Sequence, residues 1–413
     1  MKILMVCSGQ MYKEIFCAAG WVEALIAELC EKKYIDLHIM YPIYGQHETS
    51  TLQINNCTFH ALPHHKNIYK KDNMAKRIMV DFLRESSPDV IHICGTEYPY
   101  CLEMVEAAKE IGCLHRVLVV IQGLCYKIAQ HYFDTIPQIV KLRFTFRDIL
   151  RLDNIYLQKC KMEQRGRNEI EALKLVENVA GRTDWDKCCV KFINPKLRYF
   201  HNNEILRAVF YQNRWNVDEC KKYTIFVTQS SYTIKGFHIL LDAIRLLKPK
   251  YPNLIVYTTG RQVNKSGIDI RKNSYSKYIK TKIREYHLEK QIQFCGYLTA
   301  EEMVQRYLEA NVVVSPSLIE NSSNSIAEAM LLGCPIVASL VGGTSNFIIH
   351  EKNGLLYQAN AAYMLAYYIE RIFENEEYAT QLGYAANEMA LKILCRDKNV
   401  NDLIQIYERI REL

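Results

Sequence analysis

The 413-residue sequence lacks the patterns that mark several large classes of protein. It has no apolar run near the roughly 20 residues that a membrane-spanning helix needs. Its 15 cysteines include no C-x-x-C pair, and most stand within apolar segments, so we expect reduced thiols that pack as small hydrophobic residues. It has no zinc-finger spacing and no long basic stripe, and the net charge is a modest +7. Nucleic acid is therefore a poor candidate for a partner.

The first residues, MKILMVCSG, contain an apolar stretch too short for a signal peptide, and they read better as a buried strand. We therefore expect a cytoplasmic protein. The mild positive charge also fits an anionic ligand or the surface of a membrane, so peripheral contact with the cytoplasmic membrane stays open.

The sequence does contain a regular alternation of short apolar runs and amphipathic stretches. Ten runs predict buried strands: Ile3–Cys7, Leu37–Tyr41, Val90–Cys94, Arg116–Ile121, Val176–Ala180, Thr224–Val227, Leu254–Thr258, Ile292–Cys295, Val312–Ser315 and Ile336–Ala338. Helical spacing is clear between Phe237 and Leu247, and Pro249 closes that segment. This alternation predicts an α/β protein with parallel, doubly wound sheets covered by helices.

The alternation is interrupted between residues 194 and 222, where no clean period appears. We place a linker at 206–222, between an N-terminal domain (1–205) and a second domain (223–395). A last helical stretch covers 396–413. Two domains of ordinary size suit a chain of this length.

The segment from residue 311 to 335 is the most informative part of the chain. A buried strand (NVVVS) ends at Pro316, a polar loop follows, and a helix is predicted from Ser325 to Gly333. Ser325 and Glu328 have the spacing of a capping box. A loop that leads from a parallel strand into a helix N-terminus suits an anion such as phosphate. Glu320 and Glu328 could bind sugar hydroxyls around that anion, although each alone could equally be a solvated loop acid or a helix cap.

The string PSLIENSSNSIAEAMLLGCPIVAS resembles the Glu-x7-Glu signature of retaining glycosyltransferases of family 4. The similarity is strong over residues 223–360, including Gly342-Gly343, and weak over the N-terminal domain. It implies the GT-B fold, with two Rossmann-like domains facing across a cleft and the last helix crossing back to the first domain. It also implies sugar transfer from a nucleotide-sugar donor, with a UDP-sugar as first choice. The acceptor would be a saccharide or lipid-linked saccharide in cell-surface polysaccharide synthesis. No metal is required, because cationic side chains and the helix end would replace it. No cofactor is required either, because the nucleotide sugar is a substrate.

The resemblance implies catalytic roles for Glu320, which would hold the sugar, and Lys235, which would neutralise the leaving diphosphate. Glu328 would bind the ribose, and Asn324 and Ser325 at the helix N-terminus would meet the diphosphate. Relatives carry an arginine about six residues before the lysine. This chain has Gln229 there, so Arg182, Arg261 or the helix end would have to supply the missing charge.

Further donor-binding residues follow from the same resemblance. Gly296 and Tyr297 lie in the turn that borders the nucleotide base, and Gly9 would let the backbone approach the donor. Gln122 can hydrogen-bond a hydroxyl but cannot act as an acid or base. The string GRTDWD resembles one in a subset of bacterial exopolysaccharide glycosyltransferases, from which Arg182 would contact the donor phosphates. The alternative for Arg182 is an Arg–Asp network.

Two questions stay open at this point. Residues 136–165 mix aromatic and aliphatic residues with Lys and Arg, so they could meet a membrane surface, the acceptor or another subunit. The chain could also be a non-catalytic GT-B-like subunit that supports a partner glycosyltransferase. Gln229 and Gln122 favour that alternative slightly, whereas retention of Glu320, Glu328 and Lys235 argues against it.

Overall fold

The computed structural model describes residues 1–12, 15–46, 48–151, 153–260 and 273–413. Arg261 lies outside these residues. The chain forms two compact units. Unit 1 comprises Met1–Ala129, Lys161–Arg207 and Leu394–Leu413, and unit 2 comprises Gln130–Cys160 and Ala208–Ile393. Segment 130–160 therefore groups with unit 2, and the last residues of the chain group with unit 1.

Ten strands belong to unit 1: β1 Lys2–Val6, β2 Gly9–Tyr12, β3 Ile15–Ala18, β4 Asp36–Tyr44, β5 Ser50–Ile54, β6 Cys57–His64, β7 Val90–Cys94, β8 Val117–Val120, β9 Asn178–Gly181 and β10 Arg198–His201. Six belong to unit 2: β11 Lys221–Val227, β12 Ile255–Thr259, β13 Ile292–Gly296, β14 Ala310–Ser315, β15 Ile336–Leu340 and β16 Leu355–Gln358.

The helices, in chain order, are α1 Gly20–Cys30, α2 Asn73–Ser86, α3 Pro99–Glu110, α4 Cys125–His131, α5 Gln138–Lys141, α6 Phe146–Arg151, α7 Ile155–Leu175, α8 Asp184–Ile193, α9 Phe237–Leu247, α10 Ser274–Glu285, α11 Ala300–Glu309, α12 Asn324–Leu332, α13 Ala362–Glu374, α14 Glu376–Ile393 and α15 Arg396–Arg411.

Unit 1 is built on an eight-stranded sheet with the order β10-β9-β8-β7-β1-β4-β6-β5. Its neighbouring strands run parallel except for β5, which is antiparallel to β6. Helix α15 packs into the core on one face of the sheet, where Tyr407 is fully buried. The Tyr407 hydroxyl lies 2.5 Å from Nδ1 of His92 in β7. The sheet order reverses between β1 and β7, which makes their carboxyl ends the topological switch point of this unit.

Unit 2 is built on a six-stranded sheet, β13-β12-β11-β14-β15-β16, in which every neighbouring pair is parallel. Ile225, Val313 and Val337 in its central strands are at most 2% exposed, because helices cover both faces. This explains why the strands read as continuous apolar runs rather than alternating ones. The order reverses between β11 and β14, which places the switch point of unit 2 there.

The predicted α/β class with parallel sheets is confirmed. Each of the ten predicted runs overlaps an observed strand, and the predicted helix Phe237–Leu247 has the bounds of α9. The expectation that the cysteines are reduced is wrong for one pair, since Cys30 and Cys57 form a disulfide with Cα atoms 6.0 Å apart. They end α1 and begin β6, and no local pattern indicates that these two ends meet. Within the described residues, no helix is long and apolar enough to cross a membrane.

Candidate functional site

Lys235 and Glu320 meet at the switch point of unit 2. Lys235 lies in the loop after β11, in the short 3-10 turn Thr233–Lys235, and Glu320 lies in the loop after β14. β11 and β14 are neighbours in the sheet although their loops are 85 residues apart in sequence. Ligands of open α/β sheets bind at the carboxyl ends of the strands where the order reverses. The position of this pair therefore makes it the candidate site of unit 2.

The side chains of Lys235 and Glu320 form a close ion pair. Lys235 Nζ lies 2.5 Å from Glu320 Oε1, and Ser317 Oγ donates to the same oxygen at 2.7 Å. Glu320 Oε2 has no hydrogen bond to any residue that the structure describes, so it can accept one from a ligand. The two side chains are 26% and 12% exposed, which leaves the pair accessible but partly shielded from water. The arrangement offers a cation and a free carboxylate oxygen side by side.

Backbone contacts fix the loop that carries Glu320. Leu318 N donates to the Ile234 carbonyl at 2.7 Å, which ties the two loops together. Gly343 N donates to the Glu320 carbonyl at 3.1 Å. Gly342 has a φ of +48°, and a Cβ there would lie 1.8 Å from the Glu320 carbonyl oxygen. Only glycine combines that φ with such a close approach.

A second close approach fixes the lysine. Gly236 follows Lys235 with a φ of +66°, and a Cβ there would lie 1.8 Å from the Pro316 carbonyl oxygen. Ser339 Oγ in β15 donates to the Ser317 carbonyl at 2.5 Å, so the loop is also held from the neighbouring strand. The Lys-Gly and Gly-Gly pairs in the sequence therefore have a structural reason, because they let three loops touch at the site.

The helix that follows the Glu320 loop begins at Asn324, one residue before the predicted start. Ser323 is its N-cap residue, and the Ser323 side chain makes no cap hydrogen bond. The predicted capping box at Ser325 and Glu328 is wrong, because Glu328 lies in the fifth helical position, beyond reach of the cap. Asn324 and Ser325 occupy the first turn, at the positive end of the helix dipole.

Glu328 is bound to a neighbouring helix instead. Its Oε2 accepts a hydrogen bond from the Tyr307 hydroxyl of α11 at 2.9 Å, and the residue is 9% exposed. Tyr307 itself is fully buried. The carboxylate of Glu328 is therefore held in one orientation behind the helix N-terminus.

The other residues predicted on unit 2 lie at the carboxyl ends of β11 and β13 or just beyond them. Gln229 is half-buried and lies two residues after β11. Gly296 ends β13 with a φ of +80°, and its carbonyl accepts from Gly260 N at 2.9 Å. Tyr297 is 84% exposed, so its ring face is open to a stacking ligand.

In unit 1, Arg182 and Gln122 meet at Glu204. Arg182 Nη2 lies 2.5 Å from Glu204 Oε1 and donates to the Ile121 carbonyl at 3.0 Å, and Gln122 Nε2 donates to the same Glu204 oxygen. Burial raises the pKa of Glu204, while Arg182 opposes that shift. The Arg182 side chain is only 1% exposed, which favours a structural network over direct contact with a phosphate.

Gly9 and Glu97 lie beyond β1 and β7 at the switch point of unit 1. Gly9 begins β2, and a Cβ there would lie 2.3 Å from the Phe16 ring of β3, so packing within the hairpin gives another reason for a glycine at this position. Glu97 Oε1 accepts from Gly123 N at 3.2 Å, and burial raises the pKa of Glu97. The sequence did not single out Glu97, although its place three residues after a predicted strand was a usable signal.

Glu204, Ser317 and Tyr307 were also missed. Glu204 lies in the stretch without periodicity, and Tyr307 looks like an ordinary core residue of an amphipathic helix. Only Ser317 had a local signal, since it stands in the polar loop next to Glu320.

The candidate site of unit 2 lies within a part of the chain that matches a protein-family model. Residues 210–389 match the family model described as glycosyl transferases group 1. An uncharacterized glycosyltransferase of Methanocaldococcus jannaschii is 23% identical over 198 residues, which cover 48% of this chain and 47% of that protein. A D-inositol 3-phosphate glycosyltransferase of Pseudarthrobacter chlorophenolicus is 27% identical over 155 residues, 37% of this chain and 35% of that protein. The chain thus matches about half of these relatives' length or less.

Solved structures match over the whole chain. Sucrose-phosphate synthase from Thermosynechococcus elongatus has a TM-score of 0.73 at 16% identity, with 99% of this chain and 98% of that chain covered. The Anabaena protein HepE in complex with UDP-glucose has a TM-score of 0.68 at 14% identity, with 100% of both chains covered. The fold is GT-B, as the sequence predicted. The matched family model and both sequence relatives are glycosyltransferases by name.

Proposed function

We propose that the protein is a retaining glycosyltransferase of family 4 that moves a sugar from a nucleotide-sugar donor to a saccharide or lipid-linked saccharide acceptor. The observation that carries this proposal is the Lys235–Glu320 pair at the switch point of unit 2, within the segment that matches glycosyl transferases group 1. The structural neighbour HepE was solved in complex with UDP-glucose, so a UDP-sugar is the first donor to test.

The donor would lie along the carboxyl edge of the sheet in unit 2. Glu328 would accept hydrogen bonds from the ribose hydroxyls, because Tyr307 holds its carboxylate in place. The diphosphate would meet the first turn of α12 at Asn324 and Ser325, where backbone N–H groups and the helix dipole favour an anion. The base would stack near Gly296 and Tyr297. Gln229 would donate a hydrogen bond where relatives use an arginine.

The chemistry would exchange one bond to the anomeric carbon for another. The bond from that carbon to the phosphate oxygen breaks, the acceptor hydroxyl oxygen bonds to the same face, and its proton passes to the leaving phosphate. Lys235 would neutralise the charge that develops on the phosphate. Glu320 Oε2 would accept a hydrogen bond from a sugar hydroxyl. The negative charge of Glu320 would stabilise the positive charge that develops on the anomeric carbon. A single preorganised hydrogen-bond donor at a developing charge contributes about 2.7 to 4 kcal/mol in well-studied enzymes.

Unit 1 would receive the acceptor. We assign Gln122 to a hydrogen bond with a sugar or acceptor hydroxyl, and Gly9 to close backbone approach. Arg182 would act as a positioning residue, because it holds the Glu204 carboxylate that also accepts from Gln122. A lipid-linked acceptor in cell-surface polysaccharide synthesis would place the reaction at the cytoplasmic face of the membrane.

A non-catalytic subunit is the second candidate function. Gln229 in place of an arginine and the burial of Arg182 both reduce the positive charge available to a diphosphate, and this favours a role in support of a partner glycosyltransferase. Against it stands the close pairing of Lys235 with Glu320, which a scaffold does not need.

The melting temperature of the protein with UDP, GDP, ADP and their sugar conjugates, in the presence of EDTA, separates the two candidates. A ligand at 100 times its dissociation constant stabilises the folded state by about 2.7 kcal/mol. We expect one nucleotide to raise the melting temperature without metal, and Glu328→Ala to remove that rise. No rise with any nucleotide would favour the scaffold.

A further inference from the structure

Residues 136–151 of unit 2 present an unusual surface. Six of the 24 large hydrophobic side chains that are exposed in the described part of the chain fall within 12 consecutive positions: Ile139, Leu142, Phe144, Phe146, Ile149 and Leu150. Their exposed fractions lie between 56% and 79%. Single exposed hydrophobic residues are ordinary, whereas a contiguous group marks an interaction surface. We call residues 136–151 the α5–α6 surface.

The segment is held in place by polar bonds rather than by its large apolar side chains. Asp148 is fully buried, and its Oδ2 accepts from Thr145 N and from Ser274 N at the start of α10, each at 3.1 Å. Asp148 N in turn donates to Thr145 Oγ1 at 3.1 Å. Val140 is the buried apolar residue of α5. Because Asp148 and Val140 anchor the segment, its exposed apolar side chains are free to contact another surface.

The charge on the α5–α6 surface has one sign. Four cations lie within it: Lys141, Arg143, Arg147 and Arg151. Its only acid is Asp148, which is buried. Arg143 and Arg151 are exposed, while Arg147 also pairs with Asp153 at 3.2 Å. Apolar side chains flanked by exposed cations, with no exposed acid among them, match an anionic lipid surface.

We propose that the α5–α6 surface docks the protein on an anionic membrane, with Phe144, Phe146 and Leu150 entering the headgroup region and Arg143 and Arg151 meeting lipid phosphates. A second copy of this chain fits less well. A symmetric dimer would place the surface against itself and bring like charges together. The proposal does not depend on the donor site, since it concerns unit 2 residues that lie outside the loops carrying Lys235 and Glu320.

Sedimentation of the 413-residue protein with lipid vesicles tests the proposal. Vesicles of phosphatidylcholine alone are compared with vesicles that also contain phosphatidylglycerol, at low and high salt and without nucleotide. We expect binding to the anionic vesicles that weakens as salt screens the cations. Arg143→Gln with Arg151→Gln should weaken it by about 25-fold, at about fivefold for each cation.

A second variant separates apolar insertion from charge. The triple change Phe144→Ser, Phe146→Ser and Leu150→Ser should lower binding to anionic vesicles at least as much as the double arginine variant does. It should lower binding at high salt as well. Phe192→Ser with Leu246→Ser is the matched control, because both residues are exposed hydrophobics elsewhere on the chain. This control should bind like the parent protein.

Two outcomes would overturn the proposal. One is equal sedimentation of the parent and the triple variant with anionic vesicles. The other is a parent protein that does not bind vesicles. If that protein is also dimeric by analytical ultracentrifugation and the triple variant is monomeric, the surface is a self-association face. Retained nucleotide binding in every variant would show that folding is intact. A parent protein that binds anionic vesicles but no nucleotide would contradict only the proposed function.

Discussion

Gly342→Ala tests whether the Glu320 loop owes its position to one close backbone contact. The new Cβ would lie 1.8 Å from the Glu320 carbonyl oxygen. Non-bonded carbon and oxygen atoms approach to about 3.3 Å, so the Glu320 backbone must move by about 1.5 Å, the difference between the two distances. The positive φ alone costs alanine about 1 to 2 kcal/mol. We therefore expect a displaced carboxylate in a protein that still folds.

The displacement should reduce sugar binding more than nucleotide binding. A hydrogen bond to a charged group contributes about 1.5 to 3 kcal/mol, so the affinity for the nucleotide sugar should fall about 10- to 150-fold. The affinity for the nucleotide alone should stay within about threefold, because Glu328 lies on the helix and not in the loop. Isothermal titration calorimetry with both ligands measures the two affinities.

Gly333→Ala is the matched control. Gly333 is the residue directly after α12 and has a φ of +74°. A Cβ added there would lie 3.4 Å from its nearest neighbour, the Gly383 carbonyl oxygen. It therefore carries the same conformational cost without a clash and away from the Glu320 loop. If Gly342→Ala and Gly333→Ala bind the nucleotide sugar equally well, the close contact does not position Glu320.

Three further predictions concern other parts of the molecule. Tyr307→Phe removes the hydroxyl that orients Glu328 and should weaken nucleotide binding by about fivefold in calorimetry; unchanged affinity would remove Tyr307 from the site. Cys30→Ser opens the disulfide to Cys57, and for a 27-residue separation should lower the free energy of unfolding by about 3.5 kcal/mol in denaturant titrations under oxidising conditions. An equal stability of parent and variant would show that the bond is not formed in solution. Burial raises the pKa of Glu169 from 4.5 to about 8, so the folded state keeps a proton that the unfolded state has lost. The free energy of unfolding should therefore fall as pH rises from about 4.5 to about 8, by up to about 1.4 kcal/mol per pH unit, and Glu169→Gln should flatten that slope.

The fold was predictable because its central strands are covered on both faces. Such strands must be apolar at nearly every position, and this is why Val90–Cys94 and Ile336–Ala338 stood out. Strand β5 could not be found in this way, because four of its five residues are exposed. The β2–β3 hairpin has the same problem, since its polar and exposed positions resemble a loop.

The candidate site was predictable where one segment carries it, and less so elsewhere. Glu320 and Glu328 lie eight residues apart in a marked sequence context. Which group each carboxylate contacts depends on distant residues, Lys235 for the first and Tyr307 for the second, and neither spacing nor composition reports such contacts. The capping box failed because the helix begins earlier than the spacing suggested, which puts Glu328 beyond reach of the cap, where Tyr307 of α11 binds its carboxylate.

The placement of α15 has a consequence for how the chain folds during synthesis. The core of unit 1 includes six residues from this helix: Val400, Leu403, Ile404, Ile406, Tyr407 and Ile410. All of residues 208–393 must be translated before them, which takes on the order of 10 to 40 seconds at about 5 to 20 residues per second. During that interval unit 2 can complete its own sheet, while the first-made unit keeps one apolar face uncovered. The face beside β7 is therefore the last part of the unit 1 core to be covered, and it stays exposed until α15 packs against it.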